Sequence, residues 1–259
     1  MPLNELFSLN NLPDRPQRPR HYGVTMMMDK GLSLAEVDSL LSLSADYIDI
    51  VKFGWTTALF TPKLAEKIQL YRQANIAVYF GGTLFEAFLV RNQLDDYKRM
   101  VSHYQLTHVE ISDGSTSMPH EEKLSYIHNF SKDFIVLSEV GSKDANKEIA
   151  PYLWVDSIQK ELQAGSWKVI TEARESGTVG VYHASGEIRS GLVDEILNTI
   201  EPEKLLFEAP RKEQQVFFIK LLGANVNLGN ISPNEVLGLE TLRLGLRGDT
   251  FHTFLNINT

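Results

Sequence analysis

The 259-residue chain contains no cysteine. Disulfides, thiolate metal sites and cysteine nucleophiles are therefore excluded, and a cytoplasmic location is the natural expectation. No apolar run approaches the roughly 20 residues that span a bilayer. The first residues also lack the charged, apolar and small-residue order of a secretion signal. We therefore expect no membrane partner.

Several familiar catalytic and binding patterns are missing as well. There is no Gly-x-Ser-x-Gly elbow, and the seven histidines form no ligand pattern, which disfavours acyl-enzyme hydrolysis and zinc chemistry. The turn after the first predicted strand reads MMMDKG instead of a glycine-rich phosphate loop, which disfavours an open doubly wound sheet, the main competing fold. The net charge of −8 argues against a broad nucleic-acid-binding surface.

The sequence that is present alternates short apolar runs with helical patterns. With 43% hydrophobic and 22% charged residues, the composition fits one large globular domain. Eight strand-and-helix units over residues 22–259 predict an α/β fold of one (β/α)8 TIM barrel. Within it, a helix is predicted to start at Pro62, and a long helix to follow the third strand as far as about Tyr104. Residues 1–21 are predicted to form an irregular arm, because NLPDRPQRPRH is rich in proline, and its arginines are expected to be mainly solvated.

Charged and amide side chains recur at or just beyond the predicted strand ends. In a barrel these positions share one rim, where active sites of this fold lie. The alternative is that such residues are ordinary solvated strand ends, or pair with one another inside the barrel. The set is Asp29, Lys52, Glu110, Asp113, Glu139, Lys143, Glu172, Arg174, Glu208 and Asn227.

This rim predicts a polar pocket that binds a cation and an anion. Neighbouring carboxylates repel one another unless a divalent cation or lysines neutralise them, which favours Mg²⁺ with oxygen ligands. The turn from Arg174 through Ser176 to Gly177 is a candidate anion cradle, and the helix N-terminus after Asn230 is the alternative. The paired glycines Gly81 and Gly82 are a weaker signal for close approach of backbone N–H groups to an anion.

The run of motifs from Tyr22 to Phe251 resembles the phosphosulfolactate synthase family. The matching stretches, in order, are MDKGLS, DYIDIVKFGW, GGTLFE, VEISDGS, LSEVGSKD, TEARESG, FEAPRKEQQVFFI, VNLGNI and LETLRLGLRGDTF. The resemblance implies a (β/α)8 barrel and, as in archaeal members of coenzyme M synthesis, Mg²⁺-dependent addition of sulfite to phosphoenolpyruvate. It also implies a homo-oligomer, a trimer in the family, and it extends to bacterial and heat-stress-associated plant relatives.

The resemblance also implies roles for individual residues. Lys143 occupies the position of the family's general acid, and Lys52 and Arg174 are expected to bind substrate anions. The metal candidates are Glu110, Glu139 and Glu172. The remaining predicted substrate contacts are Lys30, Gly81, Gly82, Ser176, Gly177, Asn227 and Asn230.

Three positions depart from the family pattern. Thr56 stands where glycine is common and Phe80 where proline is common, and both are expected to reshape the pocket wall. Ser142 replaces the first of two lysines, which removes a positive charge beside Lys143. Two other functions therefore stay open at this point: another barrel lyase or aldolase acting on a phosphorylated acid, and a non-catalytic stress-associated binding protein.

Overall fold

The computed structural model describes residues 9–141 and 149–255. Strands and helices alternate along them. The strands are β1 Thr25–Asp29, β2 Ile50–Phe53, β3 Ala77–Phe80, β4 His108–Ile111, β5 Ile135–Val140, β6 Ser166–Thr171, β7 Leu205–Glu208 and β8 Leu228–Ile231. The helices are α1 Leu34–Ser44, α2 Leu64–Gln73, α3 Gly82–Leu89, α4 Leu94–His103, α5 His120–Phe130, α6 Pro151–Ala164, α7 Ser190–Leu197, α8 Lys212–Leu222 and α9 Val236–Arg243.

The eight strands form one parallel sheet that curves into a nearly closed barrel. Its hydrogen-bonded order is β3-β2-β1-β8-β7-β6-β5-β4. The two strands that end this order, β3 and β4, lie side by side. The predicted (β/α)8 fold is therefore confirmed, and the competing open doubly wound sheet is wrong.

Side chains of the strands alternate between two apolar layers, as the pleat requires. One layer packs between strands and helices, for example Val51, Val136 and Phe207. The other fills the barrel interior with Val24, Met26, Ile50, Tyr79, Leu137, Ile170 and Leu206. Two positions after Ile50, Leu137, Ile170 and Leu206 the chain carries a charged residue, and this step places charged side chains at the carboxyl rim.

Two predicted helix boundaries are wrong. The helix predicted to run to about Tyr104 is divided into α3 and α4, with Asn92 in the left-handed region at φ 56° between them. Pro62 does not begin a helix, because α2 starts at Leu64 after a left-handed Lys63. Neither change moves a strand end.

The described part of the arm is irregular, as predicted, but its residues Arg15 and Arg20 are buried, contrary to the expectation for its arginines. The Arg15 guanidinium forms two hydrogen bonds with Glu240 of α9: Nε and Nη2 donate to the two carboxylate oxygens at 3.0 and 3.1 Å. Arg20 Nη1 lies 3.1 Å from Asp49 Oδ1, just before β2. Their exposure is only 8% each. The ionic partners of the arm are distant in sequence, which explains why composition did not reveal the contact.

The amino end of the barrel also holds Asn227, which was predicted to bind substrate. Its Oδ1 accepts the Val24 N–H at 3.0 Å, and its Nδ2 donates to the Leu205 carbonyl at 2.8 Å. Because β8 begins only at Leu228, Asn227 lies at the strand's entry and not at the rim. That prediction is wrong.

Candidate active site

The carboxyl ends of the strands open into a pocket of about 330 Å³. Side chains from the ends of most strands converge on it, as the rim argument requires. It is lined by Met28, Lys52, Gly54, Trp55, Gly81, Thr83, Glu110, Ser115, Glu139, Glu172, Arg174, Glu175, Glu208 and Asn230.

A larger cavity of about 600 Å³ lies beside the N-termini of α1 and α2. Among the described residues that line it, Lys63 and Lys67 are the charged ones. Lys67 is already paired with Asp29, whose Oδ2 lies 2.7 Å from Nζ and accepts the Tyr71 hydroxyl at 2.8 Å. Asp29 therefore anchors α2 and does not face the rim pocket. We assign the candidate active site to the smaller, more highly charged pocket.

Lys52 lies at the centre of the acidic floor. Its Nζ is 2.9 Å from Glu110 Oε2, 3.4 Å from Glu208 Oε1 and 3.9 Å from Glu139 Oε2. Burial would lower the pKa of Lys52, but the charges of Glu110 and Glu208 outweigh it and hold the pKa well above its usual value. Lys52 is therefore a fixed cation and a poor proton donor.

Three carboxylates cluster beside this lysine. Single oxygens of Glu139, Glu172 and Glu208 all lie within 4.8 Å of one another, and the three residues are buried. Burial raises the pKa of Glu208 to about 7, with Lys52 opposing the shift and Glu139 and Glu110 adding to it. Hard oxygen donors crowded in this way suit a divalent cation such as Mg²⁺, which would relieve their repulsion.

Glu110, the other predicted metal candidate, is engaged differently. Its Oε1 accepts the Gly82 N–H at 2.6 Å, and its Oε2 faces Lys52. Within the described chain, the three-carboxylate cluster therefore contains Glu139 and Glu172 of the predicted set, with Glu208 as the third member in place of Glu110. Glu208 carries the same signal as the others, an interior apolar residue followed two positions later by glutamate.

The paired glycines do bring a backbone N–H to an anion, but that anion is the protein's own carboxylate. A Cβ on Gly82 would lie 2.2 Å from Ser112 Oγ and 2.8 Å from Glu110 Oε1, so glycine alone fits there. Gly81 lines the pocket, where a Cβ would lie 3.0 Å from Lys52 Cε. The absence of side chains at Gly81 and Gly82 therefore allows Lys52 and Glu110 to pack directly against the backbone.

The predicted cradle after β6 is only partly at the pocket. Arg174 lines it, is exposed, and has a left-handed φ of 52°. Ser176 is exposed, and its hydroxyl pairs with Thr178 at 2.7 Å. Gly177 packs under α8, where its carbonyl accepts Gln214 Nε2 at 2.9 Å. The structure thus brings Arg174 to the pocket and turns Gly177 away from it.

Lys30 crosses the pocket mouth. Its Nζ lies 3.8 Å from Glu175 Oε2 and 4.8 Å from the centre of the Trp55 ring. Both partners line the pocket. With side chains about two-fifths exposed, the ion pair is weak, so it does not prevent Lys30 from meeting a ligand.

Two of the three departures from the family pattern can be located. Phe80 packs 6.2 Å from Phe53 and 6.0 Å from Tyr104, ring centre to ring centre, outside the barrel. It therefore does not shape the pocket wall, and that expectation is wrong. Thr56 follows Trp55 in the loop after β2, and both residues have left-handed φ angles, of 60° and 52°. Ser142 lies outside the described residues, as does Lys143.

We expect Thr56→Gly to stabilise the protein by about 1 kcal/mol, because a β-branched side chain is strained at positive φ and glycine is not. The entropy that glycine adds to the unfolded chain reduces this gain. Denaturant unfolding of the two proteins measures the difference in their free energies of unfolding. Thr57→Gly is the matched control: Thr57 has an ordinary φ and its hydroxyl donates to the Gly54 carbonyl at 2.8 Å, so it should destabilise. A loss of stability in Thr56→Gly would contradict the prediction.

None of the helices in the two described ranges has the length and apolar character that a membrane span needs. A parallel barrel whose carboxyl rim gathers buried acids around a lysine defines the class: a (β/α)8-barrel enzyme.

Comparisons with known proteins identify the family within this class. The sequence profile of (2R)-phospho-3-sulfolactate synthase (ComA) matches residues 13–249. The phosphosulfolactate synthase of Bacillus subtilis (strain 168) is 44% identical over 248 residues, covering 95% of this chain and 98% of that protein. The phosphosulfolactate synthase of Methanothermobacter thermautotrophicus is 39% identical, covering 92% and 95%. The chain therefore belongs to the phosphosulfolactate synthase family.

A solved structure supports the fold alone. The 3-keto-L-gulonate-6-phosphate decarboxylase of Vibrio cholerae aligns with a TM-score of 0.55 at 11% identity, covering 90% of this chain and 98% of that one.

Proposed function

We propose that this chain catalyses the Mg²⁺-dependent addition of sulfite to phosphoenolpyruvate, giving (2R)-phospho-3-sulfolactate by forming a carbon–sulfur bond. The observation that carries the proposal is family membership over nearly the whole chain, together with the acidic pocket at the barrel rim. The sulfur lone pair of sulfite forms the new bond at the methylene carbon. The electrons of the double bond move toward the carboxylate, and a proton then adds to the carbon that bears the phosphate.

The crowding of carboxylate oxygens favours a cation in this pocket. Its described lining has five carboxylates, from Glu110, Glu139, Glu172, Glu175 and Glu208, whereas its cations are Lys52 and Arg174. Lys30 adds a charge at the mouth. A divalent cation among these carboxylates would help the pocket to hold a phosphorylated acid and sulfite, which are themselves anions. Mg²⁺, held by Glu139, Glu172 and Glu208, would offset the negative charge that builds on the substrate carboxylate.

The side chains of the pocket have separate roles in charge stabilisation, substrate binding and proton transfer. Lys52, held protonated by its glutamates, supplies a fixed positive charge at the pocket floor. Arg174 and Lys30 attract the anionic substrates at the mouth. Proton donation to the substrate carbon falls to Lys143, the residue that the family resemblance indicates, which lies outside the described residues. The expected surroundings are the cytoplasm and the expected assembly is a homo-oligomer.

The test is a direct assay. The protein is incubated with phosphoenolpyruvate, sulfite and MgCl2, and phosphorus NMR and mass spectrometry follow substrate loss and product formation. We expect consumption of phosphoenolpyruvate that requires both sulfite and Mg²⁺, with a product heavier by the elements of sulfurous acid. Omission of sulfite and addition of EDTA are the controls. Phosphoenolpyruvate turnover without sulfite would instead favour another barrel lyase, and no turnover with all components would contradict the proposal.

A further inference from the structure

Asn230 is held in a conformation that costs stability. It is the third of the four residues of β8, near the rim, with a left-handed φ of 56° and only 5% of its surface exposed. Asparagine tolerates this backbone region better than most residues do, but glycine adopts it without strain. The backbone therefore does not require an asparagine side chain.

The carboxamide of Asn230 adds a second cost. In the described part of the chain, neither Nδ2 nor Oδ1 has a hydrogen-bond partner, although both atoms are buried. The left-handed asparagines elsewhere, Asn11, Asn75 and Asn92, are exposed to solvent. Buried amides without partners are rare in native proteins, and backbone strain that persists is concentrated at sites that bind ligands.

The position of this amide indicates what it meets. Asn230 lines the same pocket as the carboxylate cluster. It is adjacent along β8 to Gly229, which pairs with Glu208 of β7. Lys52, a buried cation that lines the same pocket, is already surrounded by Glu110, Glu208 and Glu139. A buried neutral N–H group next to acids is suited to an anionic oxygen, and a carboxamide oxygen is suited to a hard divalent cation.

Resting on the proposed function, we propose that Asn230 selects the metal-bound form of the phosphorylated acid. Its Oδ1 supplies an oxygen to the shell of the cation, and its Nδ2 donates to an oxygen of the anion that the cation carries. The amide is thus a specificity-determining group for a small phosphorylated acid bound together with Mg²⁺.

Two variants separate the roles of the amide atoms, and binding is measured without sulfite. Isothermal titration calorimetry uses MgCl2 alone, then phosphoenolpyruvate with MgCl2, and inorganic phosphate with MgCl2 as a second probe. Asn230→Gly removes both atoms and the strain, so we expect a melting temperature higher by about 2–4 °C and anion binding weaker by about 10- to 100-fold. Asn230→Asp keeps the acceptor and replaces the donor, so Mg²⁺ binding is expected to be retained while anion binding is lost to a similar extent.

Asn92→Gly is the matched control, because it relieves the same backbone strain at an exposed site between α3 and α4. We expect its binding of both anions to stay within about twofold of the unsubstituted chain. Asn230→Gly with a lower melting temperature and unchanged binding would show that the amide only packs, and would overturn the inference.

The two proposals fail in different ways. An unsubstituted chain that binds phosphoenolpyruvate with MgCl2 but shows no turnover with sulfite contradicts the proposed function, while the Asn230 comparison still stands. A chain that binds neither phosphoenolpyruvate nor phosphate in MgCl2 overturns the inference whatever the turnover assay gives.

Discussion

Lys52→Met is expected to lower the free energy of unfolding by about 3–5 kcal/mol at neutral pH, because removal of one partner leaves buried charge uncompensated. The ammonium lies within 4 Å of Glu110, Glu139 and Glu208, and its exposure is only 6%. Methionine has a similar length and fills the space, so the loss is electrostatic and not a packing defect. Denaturant unfolding of the two proteins, in EDTA, gives the difference.

The control for this prediction is Lys30→Met at the pocket mouth. The Lys30 side chain is 41% exposed, so its replacement should cost less than about 1 kcal/mol. The double variant Lys52→Met with Glu110→Gln removes one carboxylate as well, and it should recover part of the lost stability. MgCl2 should also stabilise the Lys52→Met protein, by binding to the folded state alone. A loss below about 1 kcal/mol for Lys52→Met would contradict the account of Lys52 as the neutralising cation.

Acid is expected to destabilise the protein by about 3 kcal/mol through His108 alone, at about 1.4 kcal/mol for each pKa unit. Burial lowers the pKa of His108 from 6.5 to about 4. The ring lies in the barrel at the amino end, 5.8 Å from the Trp167 ring, and 8% of the residue is exposed. Between pH 6.5 and 4, the unfolded chain binds a proton that the folded chain does not. The contribution of His108 to the free energy of unfolding is therefore fully present above pH 6.5 and is lost as the pH falls toward 4.

Unfolding measured at a series of pH values tests this, with His108→Gln as the variant. Glutamine does not titrate in this range. Between pH 6.5 and 4, the His108→Gln protein should therefore lose about 3 kcal/mol less free energy of unfolding than the unsubstituted chain loses. Comparison of the two slopes cancels the contribution of the carboxylates. His128→Gln, at an exposed position on α5, is the matched control and should leave the slope unchanged. Parallel curves for His108→Gln and the unsubstituted chain would contradict the prediction.

The sequence pattern predicted the rim well because a strand has a fixed repeat. In β2, β5, β6 and β7 an interior apolar residue is followed two positions later by a charged one, as in Ile50 and Lys52 or Leu206 and Glu208. Side chains two apart point the same way, so the charged member of each pair must face the pocket if its partner fills the barrel. Asn227 was placed incorrectly because an apolar run does not show where a strand begins.

The pairings among these groups were not predictable in the same way. Glu110 and Glu208 each follow a buried residue by two positions, yet Glu110 accepts the Gly82 N–H and Glu208 joins the carboxylate cluster. The arm shows the same limit, because Arg15 meets Glu240 from 225 residues away. No local repeat carries that information.

The sequence by itself therefore determines the number of strands and the rim, because alternating strand and helix patterns and the two-residue repeat of a strand can be read locally. It also determines the family, because the motifs are short stretches in a fixed order. The curvature of the sheet and the stagger between neighbouring strands decide which acids meet Lys52, which carboxylates crowd together and where the Asn230 amide lies. Those are properties of the closed barrel, because they set the level at which each strand end reaches the pocket.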